Sequence, residues 1–107
     1  MWWALTCSHG AHDMHACPGA TFNDGLFHVL YGPKHNTNRC DSLCTFLQME
    51  EGTHVHGQAP KLLKCKAFRL CPDKELEGIL TADGEAIEHY GDIQAEILPG
   101  FARVLSL

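Results

Sequence analysis

Residues 79–100 read ILTADGEAIEHYGDIQAEILPG, and the dipeptide Asp83-Gly84 near their start decides how this part of the chain is built. Apolar, strand-like runs stand on either side of it. A two-residue Asp-Gly loop between such runs predicts a β-hairpin, because both central positions of a type I′ turn need positive φ. Glu77 to Ala82 is then the outgoing strand and Ala86 to His89 its return. Glu85 adds a second carboxylate beside Asp83. Two readings stay open for this tip: a plain turn, or the acidic lip of a site that holds Mg²⁺ through oxygen or accepts hydrogen bonds from ribose hydroxyls. Turn tips carried on a rigid sheet are where sites tend to gather.

Working outward, Ile93, Ala95 and Ile97 alternate with Gln94, Glu96 and Leu98 as a strand, Pro99-Gly100 turns the chain, and Phe101 to Leu105 reads as a last strand. Upstream, Leu62 to Leu70 predicts one long strand with imperfect alternation, and His54 to Gly57 an extended segment. The period changes at Arg39 to Glu51, where Cys40, Leu43, Cys44 and Leu47 fall at i, i+3, i+4 and i+7, one face of a helix. Asn38 suits its N-cap and Gly52 its stop. Gly25 to Tyr31 is apolar on both faces, which predicts an inner strand, and Trp2 to Thr6 is another. The expected fold is mainly β: an antiparallel β-sandwich-like segment with one α-helix at about residues 39–51.

At 107 residues there is room for one domain but not for a deep two-lobed cleft. Thirteen acidic against eight basic residues leave a net charge of −5, without the basic stripe a phosphate backbone needs, so nucleic acid is not an expected partner. No apolar run approaches the roughly 20 residues that span a bilayer, and the first residues, MWWALTCSH, lack a charged n-region and long h-region. The expected compartment is the cytoplasm. In a reducing compartment the six cysteines are expected as free thiols that behave as small hydrophobes.

The densest cluster of reactive side chains is CSHGAHDMHAC, with Cys7, His9, His12, His15 and Cys17, to which His54, His56 and Cys65 could add ligands. Zinc takes such donors tetrahedrally, but this spacing matches no structural zinc motif, and a polar loop rich in imidazole is the competing reading. Leu43, Phe46, Leu47 and Met49 suit either an apolar ligand pocket or plain core. The chain has no P-loop and no G-x-G-x-x-G.

Residues 66–107, KAFRLCPDKELEGILTADGEAIEHYGDIQAEILPGFARVLSL, closely resemble the C-terminal end of the sphingosine kinases. There a K/R-A-F-R-L-x-P strand leads through a variable loop to a G-x-L/F-x-x-D-G-E hairpin, followed in some members by Y-G-x-x-Q-x-x-x-x-P-G. Residues 8–31, SHGAHDMHACPGATFNDGLFHVLY, look like the family's S-H…D…P-x-A…D-G stretch, and residues 46–55, FLQMEEGTHV, resemble its F-L-x-M-E-x-G-x-H helix end. The blocks follow the family's order along nearly the whole chain. The S-H…D pattern accounts for Ser8, His9 and Asp13 without a metal, so no metal ligand is assigned.

The resemblance implies the later part of the C-terminal lipid-binding domain of a lipid kinase of the diacylglycerol-kinase-like superfamily. In that superfamily an N-terminal α/β domain carries the nucleotide loop and the general base. By position, Asp83, Gly84 and Glu85 match the family's ATP-side D-G-E, while Phe46, Met49 and His54, with Val29, Leu30 and Thr81, match lipid-pocket positions. The implied reaction is transfer of the ATP γ-phosphate to the primary hydroxyl of a sphingoid base, with ATP and Mg²⁺ as cofactors of the full enzyme. The implied partners are the sphingoid base, the N-terminal kinase domain and, peripherally, a membrane. No S/G-G-D-G loop occurs in the 107 residues, so no catalytic residue is assigned, and the chain alone is expected to be inactive and to need no cofactor of its own. The alternatives are a non-catalytic module that binds lipid or protein through apolar surface, and a small zinc domain.

Overall fold

The computed structural model describes residues 2–32, 38–57, 60–73, 79–88, 91–103 and 105. The chain is mainly antiparallel β with one α-helix among the described residues. It divides into two compact units, Met1–Lys66 with Ile97–Leu107, and Ala67–Glu96.

In the first unit, β1 (Trp2–Leu5), β2 (Phe27–Tyr31) and β3 (Lys61–Cys65) form a sheet in that order, antiparallel throughout. β2 is the central strand, as its two apolar faces predict, and His28, Val29 and Leu30 on it are buried. The register sets Trp3, Leu30 and Leu62 in one cross-strand row and Leu5 with His28 in the next of the same face. Trp3, Leu5 and Leu62 pack on a buried cluster of Ala16, Cys17 and Ala20, so the loop between β1 and β2 is the lid over this face.

Helix α1 (Arg39–Met49) begins as expected: the Asn38 Oδ1 accepts the Asp41 backbone N–H at 2.8 Å, and Asp41 places negative charge in the first turn. The Thr45 hydroxyl donates to the Asp41 carbonyl at 2.8 Å. Gly52 then takes left-handed backbone, φ 70°, and diverts the chain into a 3-10 helix, Thr53–His56. This corrects the extended segment expected at His54 to Gly57; the Gly57 N–H donates back to the His54 carbonyl at 3.3 Å.

The helix face also differs from expectation. Leu43 and Leu47 are 61% and 68% exposed, and Cys40 and Cys44 are exposed with them. Only Met49 in the last turn is buried, and Phe46, half exposed, meets the Trp3 ring edge-on at 6.3 Å between centroids. The periodicity found the helix, but the side of it that meets the rest of this unit is set by the final turn.

Among the described residues the second unit holds two antiparallel strand pairs, β4 (Ala67–Leu70) with β7 (Ile93–Glu96), and β5 (Leu80–Ala82) with β6 (Glu85–Ile87). Phe68, Leu70, Ile93 and Ala95 are the less exposed residues of the first pair, alternating with exposed Arg69, Gln94 and Glu96. The single long strand expected over Leu62 to Leu70 is therefore two strands in different units. The chain bends at Lys66, between the two. Residues 77, 78 and 89 of the expected hairpin lie outside the described residues. None of the described residues between Phe101 and Leu105 is in a strand, so the last expected strand is not formed by them; the Phe101 N–H instead closes a turn onto the Leu98 carbonyl at 3.4 Å.

Candidate functional site

The lid loop is built from its own backbone before any side chain contributes. Gly10 N–H donates to the Met14 carbonyl at 2.9 Å and Met14 N–H to the Ala11 carbonyl at 3.1 Å, a small reversal with His12 and Asp13 exposed at its tip. Cys17 N–H donates to the Ser8 carbonyl at 2.9 Å and closes the base of the loop. Two further bonds dock it onto the end of the helical segment: His15 N–H to the Met49 carbonyl at 2.8 Å, and the His54 Nε2–H to the Ala16 carbonyl at 3.0 Å. The geometry thus brings His54 and Met49, both fully buried, against the loop that covers Leu30.

His9 and His15 stack with centroids 4.4 Å apart and planes 5° from parallel, and the Ser8 hydroxyl is 2.8 Å from His9 Nδ1. Burial, then the neighbouring imidazoles of His9 and His54, hold His15 below the ordinary histidine pKa. A metal ion lies in the plane of each imidazole that ligates it, and parallel rings stacked face to face do not share such a point. Among the described residues no three or more His, Cys, Asp or Glu converge as a metal site.

All six cysteines are free. The Cys17 thiol is buried under the loop and pushed up to about 11, by burial first and then by Cys7. A thiol held that far toward its protonated form is a structural hydrophobe rather than a nucleophile.

The sequence reading missed an ion pair of this unit. His28, fully buried on β2, donates from Nε2 to Asp24 Oδ2 at 2.7 Å. The same carboxylate accepts the Thr21 N–H at 3.2 Å and the Leu26 N–H at 2.9 Å. Asp24 thereby ties the loop's exit to the sheet, and the bond from His28, followed by the two backbone bonds, holds its carboxyl below the usual carboxylate range. The signal available in the sequence was the spacing i, i+4 across Asp24-Gly25, just where a loop enters a strand.

Depression of a carboxyl pKa on folding stabilises the folded chain above the unfolded value, near 3.8, and that stability is lost as pH falls through the folded value. The chain is therefore expected to lose stability as pH falls below about 4, and Asp24→Asn to flatten that part of the profile, read by urea midpoints across the acid range.

The lipid-side residues implied by resemblance separate. Leu30, Met49 and His54 are buried in the first unit, Phe46 borders them through Trp3, and Val29 is buried on the opposite face of β2, in register with Ala4 and Leu63. Thr81 belongs to the second unit, on β5, and is exposed.

In the second unit the hairpin has the expected turn: φ is 49° at Asp83 and 87° at Gly84, with Ala82 opposite Glu85. Asp83 and Glu85 are exposed, and neither side chain makes a hydrogen bond or ion pair with the other described residues. The period of two sets Glu85 on the face of Leu80 and Ala82, and Thr81 on the other.

The described residues are thus mainly antiparallel β with one α-helix and an acidic tight hairpin. The chain belongs to the family of the YegS C-terminal NAD kinase beta sandwich-like domain, which matches residues 6–106. It is 39% identical over 105 residues to sphingosine kinase 2 of Homo sapiens and 31% identical over 105 residues to sphingosine kinase 1 of the same organism. Each match covers 96% of this chain but only 16% and 27% of the two relatives, so the chain spans about a sixth and about a quarter of their lengths. Family and relatives together make this a lipid-kinase-family domain. No helix among the described residues is long and apolar enough to cross a membrane.

Proposed function

We propose that this chain supplies the lipid-binding side of an ATP-dependent sphingoid-base kinase. The observation that carries the reading is the likeness to two sphingosine kinases along 96% of the chain, the buried group of Leu30, Met49 and His54 giving it a physical footing. Leu30, Met49 and His54 line the lipid chain, with Phe46 at the rim. Asp83-Gly84-Glu85 forms the ATP-side tip.

The donor set fits that second task. Two carboxylates on a turn fixed by its own backbone offer oxygen to a hard cation or acceptors to ribose hydroxyls, and their exposure leaves them free to meet a nucleotide. Bound ATP with Mg²⁺ supplies the phosphoryl group and the charge that neutralises it in transfer. The chain's own residues orient: the glycine at position 84 lets the reversal be tight, and the tight reversal holds Glu85 in one place.

Transfer of a phosphoryl group depends on positioning and electrostatics around the γ-phosphate, which one acidic tip does not complete. The 107-residue chain by itself is therefore expected to transfer no phosphate from ATP to sphingosine, and robust turnover in a radiolabel assay would overturn that division of labour. Joined to a nucleotide-binding domain of the family, the chain with Glu85→Ala is expected to lose roughly 10- to 100-fold in kcat/KM for ATP, with the KM for lipid unchanged. Unaltered ATP kinetics would remove the role given to Glu85.

A further inference from the structure

His9 and His15 hold two titratable rings face to face, with centroids 4.4 Å apart and planes 5° from parallel. Neutral rings gain from stacking, whereas two imidazolium ions at that separation repel. Neither ring slides away without disturbing the loop. The Ser8 hydroxyl lies 2.8 Å from His9 Nδ1, and the Ser8 carbonyl accepts the Cys17 N–H at 2.9 Å, which ties His9 to the base of the loop. His15 is tied to the end of α1, because its backbone N–H donates to the Met49 carbonyl at 2.8 Å. On that side its ring meets Gly52, where a β-carbon would lie 2.8 Å from Nδ1.

Among the described residues the titratable groups that act on His15 are imidazoles. After burial, His9 from the loop and His54 from the 3-10 helix hold it below the ordinary histidine value of 6.5. Asp13 on the loop, and Glu50 and Glu51 at the end of α1, are exposed, and none of them contributes to that shift. The Cys7 thiol lies beside His9 and donates to its carbonyl at 3.1 Å. A docked loop that lowers the pKa of His15 binds the neutral ring better than the charged one. Docking is therefore at full strength above pH 6.5 and weakens as pH falls from there toward the docked value.

We propose that the His9–His15 stack is an acid-sensitive latch: neutral rings hold the loop of residues 8–17 on the end of α1, and their protonation releases that loop while the β1-β2-β3 sheet stays folded. The latch stands apart from the lipid-side reading, although the contacts it opens, His15 to Met49 and His54 to Ala16, lie at the same joint. Its window lies above the acid range in which Asp24 is protonated, so the two effects separate along the pH axis.

The test is amide hydrogen exchange of the full chain at pH 7.5 and pH 5.5, expressed as protection factors so that the intrinsic pH dependence of exchange is removed. The amides of His15 and Cys17, which close the loop, are expected to lose about tenfold in protection at the lower pH, and those of β2 less than about twofold. His15→Phe keeps an aromatic ring that takes no proton, and is expected to hold the loss at residue 17 below about twofold. His9→Phe, at an exposed position, keeps a stacked ring, removes one of the two charges and offers a protonated His15 an aromatic face. It is expected to abolish the loss likewise and to raise the titration midpoint of His15 followed by its ring resonances, which decides the matter even if His15→Phe fails to fold.

Protection that changes less than about twofold in the unaltered chain, a tenfold loss that persists in His9→Phe, or an equal loss across β2 would each overturn the latch.

Discussion

Gly52→Ala is expected to lower the stability of the folded chain by about 2–5 kcal/mol, the sum of two costs. Backbone at φ 70° is left-handed, where a β-carbon costs about 1–2 kcal/mol. The new carbon would also lie 2.8 Å from His15 Nδ1 and 2.8 Å from Pro18 Cγ, inside contact distance of two rings that the docked loop does not let move freely. Overpacking of this kind costs about 1–3 kcal/mol. In a domain of this size the loss corresponds to a fall in Tm of roughly 10–40 °C, measurable by thermal denaturation followed by circular dichroism. Gly19→Ala separates the two costs, because Gly19 has φ 80° but nothing within 4 Å of an added carbon, so it should lose only the conformational share. If the two substitutions cost the same, the close approach of loop and helix end is not what Gly52 serves.

Asp24→Ala is expected to cost about 3 kcal/mol, because it removes the acceptor for three N–H groups at once and strands a buried imidazole. The Asp24 side chain is 21% exposed, so water reaches part of the space it leaves and keeps the loss below that of breaking a fully buried ion pair. His28→Leu made on top of Asp24→Ala should recover part of the loss, since the orphaned donor is then gone and the position remains apolar core. A double variant that is less stable than Asp24→Ala, in a urea-denaturation cycle, would show that His28 matters for its shape and not for its bond to Asp24.

Both substitutions act on the same joint, the docking of residues 14–26 over one face of the β1-β2-β3 sheet and against the end of α1. That joint is also where the proposed lipid side lies. Damage there is expected to lower lipid binding through Met49 and His54 without touching Asp83 or Glu85, which belong to the other unit.

Much of the local architecture was legible in the residues. Asp83-Gly84 announces its turn because few dipeptides accept positive φ at two successive positions, and the structure has both. Asn38 announces a cap because its short amide reaches the backbone of the first helical turn. Gly25 to Tyr31 announces a central strand by being apolar on both faces, and β2 is central. Other features depended on what each element meets. A stripe of Cys40, Leu43, Cys44 and Leu47 has the period of a buried face, yet these residues are exposed, because Phe46 and Met49 make the helix's contacts in this unit. The long strand expected through Cys65 and Lys66 divides at a bend at Lys66, where the chain passes from one unit to the other.

By itself the sequence determined the type and order of most elements, the acidic hairpin and the family, because turn chemistry, capping and residue patterning act over a few neighbouring positions. The tertiary structure decided which histidines matter and how. His9 and His15 stack, while His28 bonds Asp24 and His54 the Ala16 carbonyl, each through Nε2 and each with Nδ1 unpaired among the described residues. An imidazole's role follows from which of its nitrogens meets a donor or an acceptor. For His54 that partner lies 38 residues away, where only folding brings the two together.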